Sequence, residues 1–160
     1  CQALLYEGTV EMMDFLANYL ALCEDDKKEL CFSSVRGMEA AFSLKSLLPH
    51  KMIHLYMMEA VYYGEQKNRG KTLKALYDYG ETLQKNWKDF TIHGDAFFDL
   101  LEQWIQEVEI RREMPRNMQF IREDIIRSVK ENPVFDFLKE EKEFRILIKR
   151  LENLQIEERD

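Results

Sequence analysis

Punctuation is scarce in this chain. Its 160 residues hold only three prolines and six glycines, too few for an architecture of many short strands and turns, so long helices are favoured. Cysteine is scarce too. Cys1, Cys23 and Cys31 are odd in number and irregular in spacing, which argues against a disulfide framework and fits a reducing, cytoplasmic compartment. No apolar run approaches the roughly 20 residues of a membrane span, and no signal-peptide pattern is present. Lys and Arg number 23 against 30 Asp and Glu. That acidic balance argues against general nucleic-acid binding, which needs concentrated positive charge. Period-two alternation of useful length is missing, so essentially no sheet is expected. No catalytic or cofactor signature occurs, and the chain is read as neither an enzyme nor a cofactor carrier.

What is present suits a globular helical protein. Hydrophobic residues make up 46% and charged residues 33% of the chain. A single domain over 1–160 is the natural expectation for this length. It would bury about 70% of its unfolded-chain surface, so its core needs neither metal nor disulfide. A chain that starts without Met reads as a piece of a longer protein. A mature lipoprotein also starts with cysteine, and both readings of Cys1 stay open.

The periodicity lays out the helices. Residues 2–23 repeat Leu5, Met12, Met13, Phe15, Leu16, Tyr19, Leu20 and Cys23 at three- and four-residue steps, with Gly8-Thr9 as a weak spot. Asp26 is the expected N-cap of a second helix from Lys27 to Leu47. Pro49 stands in the first turn of a third, reaching Tyr63. Gly64 to Gly70 is read as the break before a fourth, Lys71 to Lys85, which carries Leu73, Leu76, Tyr77, Tyr79 and Leu83. Trp87 to Gly94 is the longest loop. Asp95 opens a fifth helix to about Glu113, ended by Met114-Pro115. A sixth runs from Arg116 to Lys130. A short helix, Val134–Lys139, precedes the last, Lys142–Ile156. Short connections imply antiparallel neighbours. The fold class is therefore all-α, either a stacked series of hairpins or a single bundle.

Two stretches resemble tetratricopeptide-type helical hairpins. Ala60-x-x-Tyr63, a short turn and a following helix are similar to the first helix and turn of such a repeat. Lys67 and Thr72 depart from the family's small turn residue and Ala, and a step of about 34 residues from Ala60 lands on Gly94, in a loop. Further on, Asn132-Pro133-Val134-Phe135-Asp136-Phe137-Leu138 and Phe144 to Leu151 resemble the closing segment of many bacterial tetratricopeptide arrays. The resemblance implies a concave module that binds a protein or peptide, within a regulatory or signalling protein. The alternative is a self-associating bundle that forms a homodimer without a small-ligand site.

Candidate sites follow from side chains that the helices leave over. His50 and His54 share a helical face, but a closed zinc site needs two more ligands and the Glu of a zinc-protease motif is missing, so no metal is expected. Arg111, Arg112, Arg116, Arg122 and Arg127 form the one basic concentration, interleaved with Glu107, Glu109, Glu113, Glu123 and Asp124. Mixed signs point to a solvated face, with docking of an acidic segment at Arg112 and Arg116 as the functional reading. Tyr56, Tyr62, Tyr63, Tyr77 and Tyr79 crowd the central hairpin with Met52, Met57 and Met58, and Met57, Met58, Val61 and Tyr62 exceed what one neighbour can cover. By spacing, Tyr56 and Tyr63 belong to the core, while Met58 and Tyr62 face out towards a partner.

Overall fold

A computed structural model describes residues 1–87, 94, 96–101 and 118–156, without the side chains of 118–123, 155 and 156. It is all-α, with no strand among the described residues. The helices are α1 (Gln2–Leu22), α2 (Asp25–Phe42), α3 (Leu44–Leu47), α4 (Pro49–Glu65), α5 (Arg69–Asn86), α6 (Met118–Lys130) and α7 (Lys142–Ile156), with a 3₁₀ helix at Pro133–Leu138. The chain divides into two compact units. The first comprises 1–55 and 88–110, the second 56–87 and 111–160.

In the first unit, α1 and α2 pack as neighbours. The weak spot at Gly8-Thr9 does not break α1, because the Thr9 hydroxyl donates to the Leu5 carbonyl one turn back at 2.7 Å. The N-cap of α2 is Glu24 rather than Asp26, and Asp25 and Asp26 lie in the first turn, where negative charge complements the helix dipole. The expected single helix to Leu47 is two. Ser43 takes a left-handed conformation at φ 49° and ψ 44°, which stops α2 after Phe42 and starts α3. Serine enters that region at a steric cost that glycine avoids, so no punctuating residue marked the break. Phe42, Phe97 and Phe98 form an edge-to-face cluster with centroids 5.1–6.0 Å apart. The Gln2 carboxamide donates to Asp99 at 2.7 Å and accepts from the Leu100 N–H at 3.0 Å. Residues 96–100 form bends and a turn, where the fifth helix was expected to have begun. The rest of that helix, 102–113, lies outside the described residues.

The inward face of α1 differs from expectation. Thr9, Met13 and Leu20 are buried, whereas Leu5, Met12, Phe15 and Tyr19 are exposed. The spacing identified an apolar face correctly, but the face that packs lies beside it.

The second unit starts within α4. The break after α4 is shorter than Gly64 to Gly70: the helix continues through Glu65 and the turn is Gln66, Lys67 and Asn68. Lys67 is left-handed at φ 53°. Asn68 donates its N–H to Tyr63 and accepts from the Lys71 N–H through its side chain, so it closes one helix and caps the next. Tyr79-Gly80 does not interrupt α5. Gly80 is buried because Leu147 of α7 lies against it, 2.5 Å from where a Cβ would sit. Gly64 likewise lies against Val134 and Phe135 of the 3₁₀ helix. Asn132 caps that helix by accepting from the Val134 N–H at 3.1 Å, with Pro133 opening it.

Candidate functional site

The side chains singled out in the central helix divide differently from expectation. Tyr56 and Tyr63 are buried, as their spacing required. Tyr62 is buried too, 8% exposed, which corrects its outward assignment. Its ring lies 5.0 Å from that of Tyr63, so aromatic packing takes the face that was reserved for a partner. Met58 is half-buried. Tyr63 in turn receives the Lys71 ammonium over its ring at 4.5 Å. Arg112 and Arg116 lie outside the described residues. His50 and His54 are both exposed on α4, and no group of three or more His, Cys, Asp or Glu is placed to hold a metal among the described residues. Cys31 is buried. Burial pushes its thiol above the ordinary range, and the neighbouring Cys23 thiol adds to the shift. A raised thiol is a poor nucleophile near neutral pH.

A cleft that the residue pattern did not single out runs along α5 and α7. These helices lie side by side and point the same way. Arg69 at the start of α5 bridges Glu141 at 2.7 Å and Glu143 at 3.2 Å at the start of α7. Further along, Gly80 meets Leu147 and Leu151. The Arg69 hydrogen bond holds the Glu141 carboxyl below its usual range. Inward, α5 buries Thr72, Ala75, Leu76, Tyr79 and Leu83, while α7 buries Phe144, Leu147, Leu151 and Leu154. Leu73 and Tyr77 stand one position outside that stripe, four apart on α5, and form the floor and wall of the cleft.

The cleft has two depressions that share Tyr77 and Leu147. One, about 340 Å³, is lined by Arg69, Gly70, Leu73, Lys74 and Glu143 as well. The other, about 140 Å³, adds Gly80, Glu81, Gln84, Arg150, Leu151 and Leu154. Tyr77 is 54% exposed, and the Arg150 guanidinium sits 6.0 Å from its ring centroid, within cation–π range. Arg69 is already engaged by two carboxylates. Lys74 makes no ion pair among the described residues, so Lys74 and Arg150 are the cations left to meet a ligand. Chemically, this arrangement can bury an aromatic or aliphatic side chain on Tyr77 and Leu147 and pair a carboxylate beside it. Tyr77 had been counted among the aromatics of the central hairpin without a place on this cleft, and its signal in the sequence was the i, i+4 pair of Leu73 and Tyr77 beside the buried stripe.

No helix among the described residues is long and apolar enough to cross a membrane. Comparison with protein-family models, curated proteins and solved structures finds no match to this chain.

Proposed function

We propose that this chain is a helical interaction module of a regulatory or signalling protein, and that it takes up a protein or peptide segment in the cleft between α5 and α7. One observation carries the reading: Tyr77, a large aromatic, stands open on a cleft whose floor is apolar and whose free charges are Lys74 and Arg150. Tyrosine and arginine dominate interface energies, and an extended or helical segment with apolar anchors suits a groove between two helices. The segment that fits carries an aromatic or aliphatic anchor with an acidic neighbour.

Kinship with tetratricopeptide modules is part of the same proposal. It rests on the sequence resemblance of the two stretches; their apolar positions Ala60, Tyr63, Phe135, Leu138, Phe144, Leu147 and Leu151 are buried, as the packing of any helical domain also requires.

A peptide array of short acidic–apolar sequences, probed with the protein and with Tyr77→Ala, tests the cleft. Peptides that bind the parent protein should lose about tenfold or more in affinity to Tyr77→Ala, with the melting temperature unchanged. If every binder is indifferent to Tyr77→Ala and to Arg150→Glu, the cleft is not the site.

A further inference from the structure

The opposite arrangement of charge and apolar surface occurs on α1. Leu5, Gly8, Met12, Phe15, Tyr19 and Leu22 follow each other at alternating steps of three and four, the spacing of a coiled-coil seam. The whole seam is exposed: Phe15 is 72%, Leu22 87% and Met12 50% accessible. Leu4, 73% exposed, widens it. The face of α1 that packs, with Thr9, Met13 and Leu20, is a different one. No atom lies within 4 Å of where a Cβ at Gly8 would stand, so a neighbouring backbone can come close there. A contiguous apolar face of this kind on a helix surface marks an interaction site.

The charges say what kind of helix covers it. Gln2–Leu22 contains Glu7, Glu11 and Asp14 and not one Lys or Arg. Asp14 is engaged by Lys51. Glu7 and Glu11, four apart and along one flank of the seam, make no ion pair among the described residues. A second copy of α1 offers them no cation, whereas a helix with Lys or Arg beside its own apolar seam does. We propose that α1 docks an amphipathic helix of a partner protein whose apolar seam is flanked by basic residues. Seam packing supplies the contact, and the flank charges select the partner and its register.

The test uses the full chain and two synthetic three-heptad peptides. Both carry Leu at the seam positions. One has Lys at the flanking positions and the other Glu. Fluorescence anisotropy should show the Lys peptide binding about tenfold or more tighter than the Glu peptide. Phe15→Asp should abolish that binding without lowering the melting temperature, since Phe15 is exposed. The double change Glu7→Lys with Glu11→Lys should reverse the preference, while Glu140→Lys, an exposed acid far along the chain, should leave it unchanged. The proposal is overturned if Glu140→Lys weakens binding as much as the α1 changes, because attraction to net charge then explains everything. It is also overturned if sedimentation shows a dimer that Phe15→Asp dissolves and the Lys peptide does not compete for, since the seam then pairs with its own copy.

Discussion

The Tyr79 hydroxyl on α5 donates to the Ile125 carbonyl oxygen on α6 at 3.1 Å, joining positions 46 apart in the chain. The same carbonyl accepts from the Ser128 hydroxyl at 2.7 Å. Burial pushes the Tyr79 phenol up to about 12, with the Ser128 hydrogen bond opposing. A group that drew its ring from the apolar stripe of α5 is thus also the polar tie between two helices.

Tyr79→Phe tests that tie. Removing the hydroxyl should cost about 1 kcal/mol near neutral pH, the net worth of one hydrogen bond, because Ile125 retains Ser128. The pH dependence has a definite sign. The folded chain keeps a proton on Tyr79 that the unfolded chain releases above its ordinary value of 10.0, so this contribution is complete below pH 10.0 and is lost as pH rises through about 12. Urea unfolding across that window should show a flatter decline for Tyr79→Phe than for the parent. Equal slopes would remove Tyr79 from the account.

Glycine substitutions should separate by their surroundings. A Cβ at Gly64 would lie 2.5 Å from Val134 Cγ1, with the Phe135 ring at 3.3 Å behind it, so Gly64→Ala should destabilise by about 1–3 kcal/mol through overpacking. Gly70, in the first turn of α5, has no atom within 4 Å of its would-be Cβ. Gly70→Ala should therefore stabilise by up to about 1 kcal/mol. Thermal melts of the two variants, moving in opposite directions, would bear out the packing at both ends of the α4–α5 turn. A stabilised Gly64→Ala would contradict it.

The central helix gives a third expectation. Tyr56→Ala, Tyr62→Ala and Tyr63→Ala should each cost about 2–5 kcal/mol, since each removes a buried ring. Met58→Ala should cost less, because Met58 is only half-buried. Denaturant midpoints order the four. A Tyr62→Ala variant as stable as the parent would return that side chain to the surface.

Several elements were legible from residues alone. The last helix, Lys142–Ile156, is matched at both ends, and Pro49 does open α4. Prolines and capping residues act over one or two turns, and their effect can be read locally. Ser43 was not legible, because its left-handed backbone comes from how α2 and α3 must turn and not from a residue that prefers that state. The outward residues of α1 were missed for another reason. Periodicity reveals that a helix has an apolar face, but whether this chain supplies a cover for it depends on tertiary packing. The cleft was illegible on the same grounds. Leu73 and Tyr77 line it only because α7, far along the chain, comes to lie beside them and stops one side chain short of covering them.

The parallel pairing of α5 with α7 also sets the tempo at which the second unit can assemble. The α4–α5 hairpin closes through the short turn at Gln66, Lys67 and Asn68, a local event on the microsecond scale of helix and loop formation. The Arg69–Glu141 contact joins positions 72 apart. Two helices that point the same way cannot be joined by a tight turn, so the chain must travel out and return before Leu147 can settle against Gly80. Closure entropy for that excursion is lost before the contact compensates it, and distant contacts slow folding. The helix that completes the cleft thus brings contacts distant in sequence, and until it packs, Gly80 on α5 and Leu147 and Leu151 on α7 lack each other as cover.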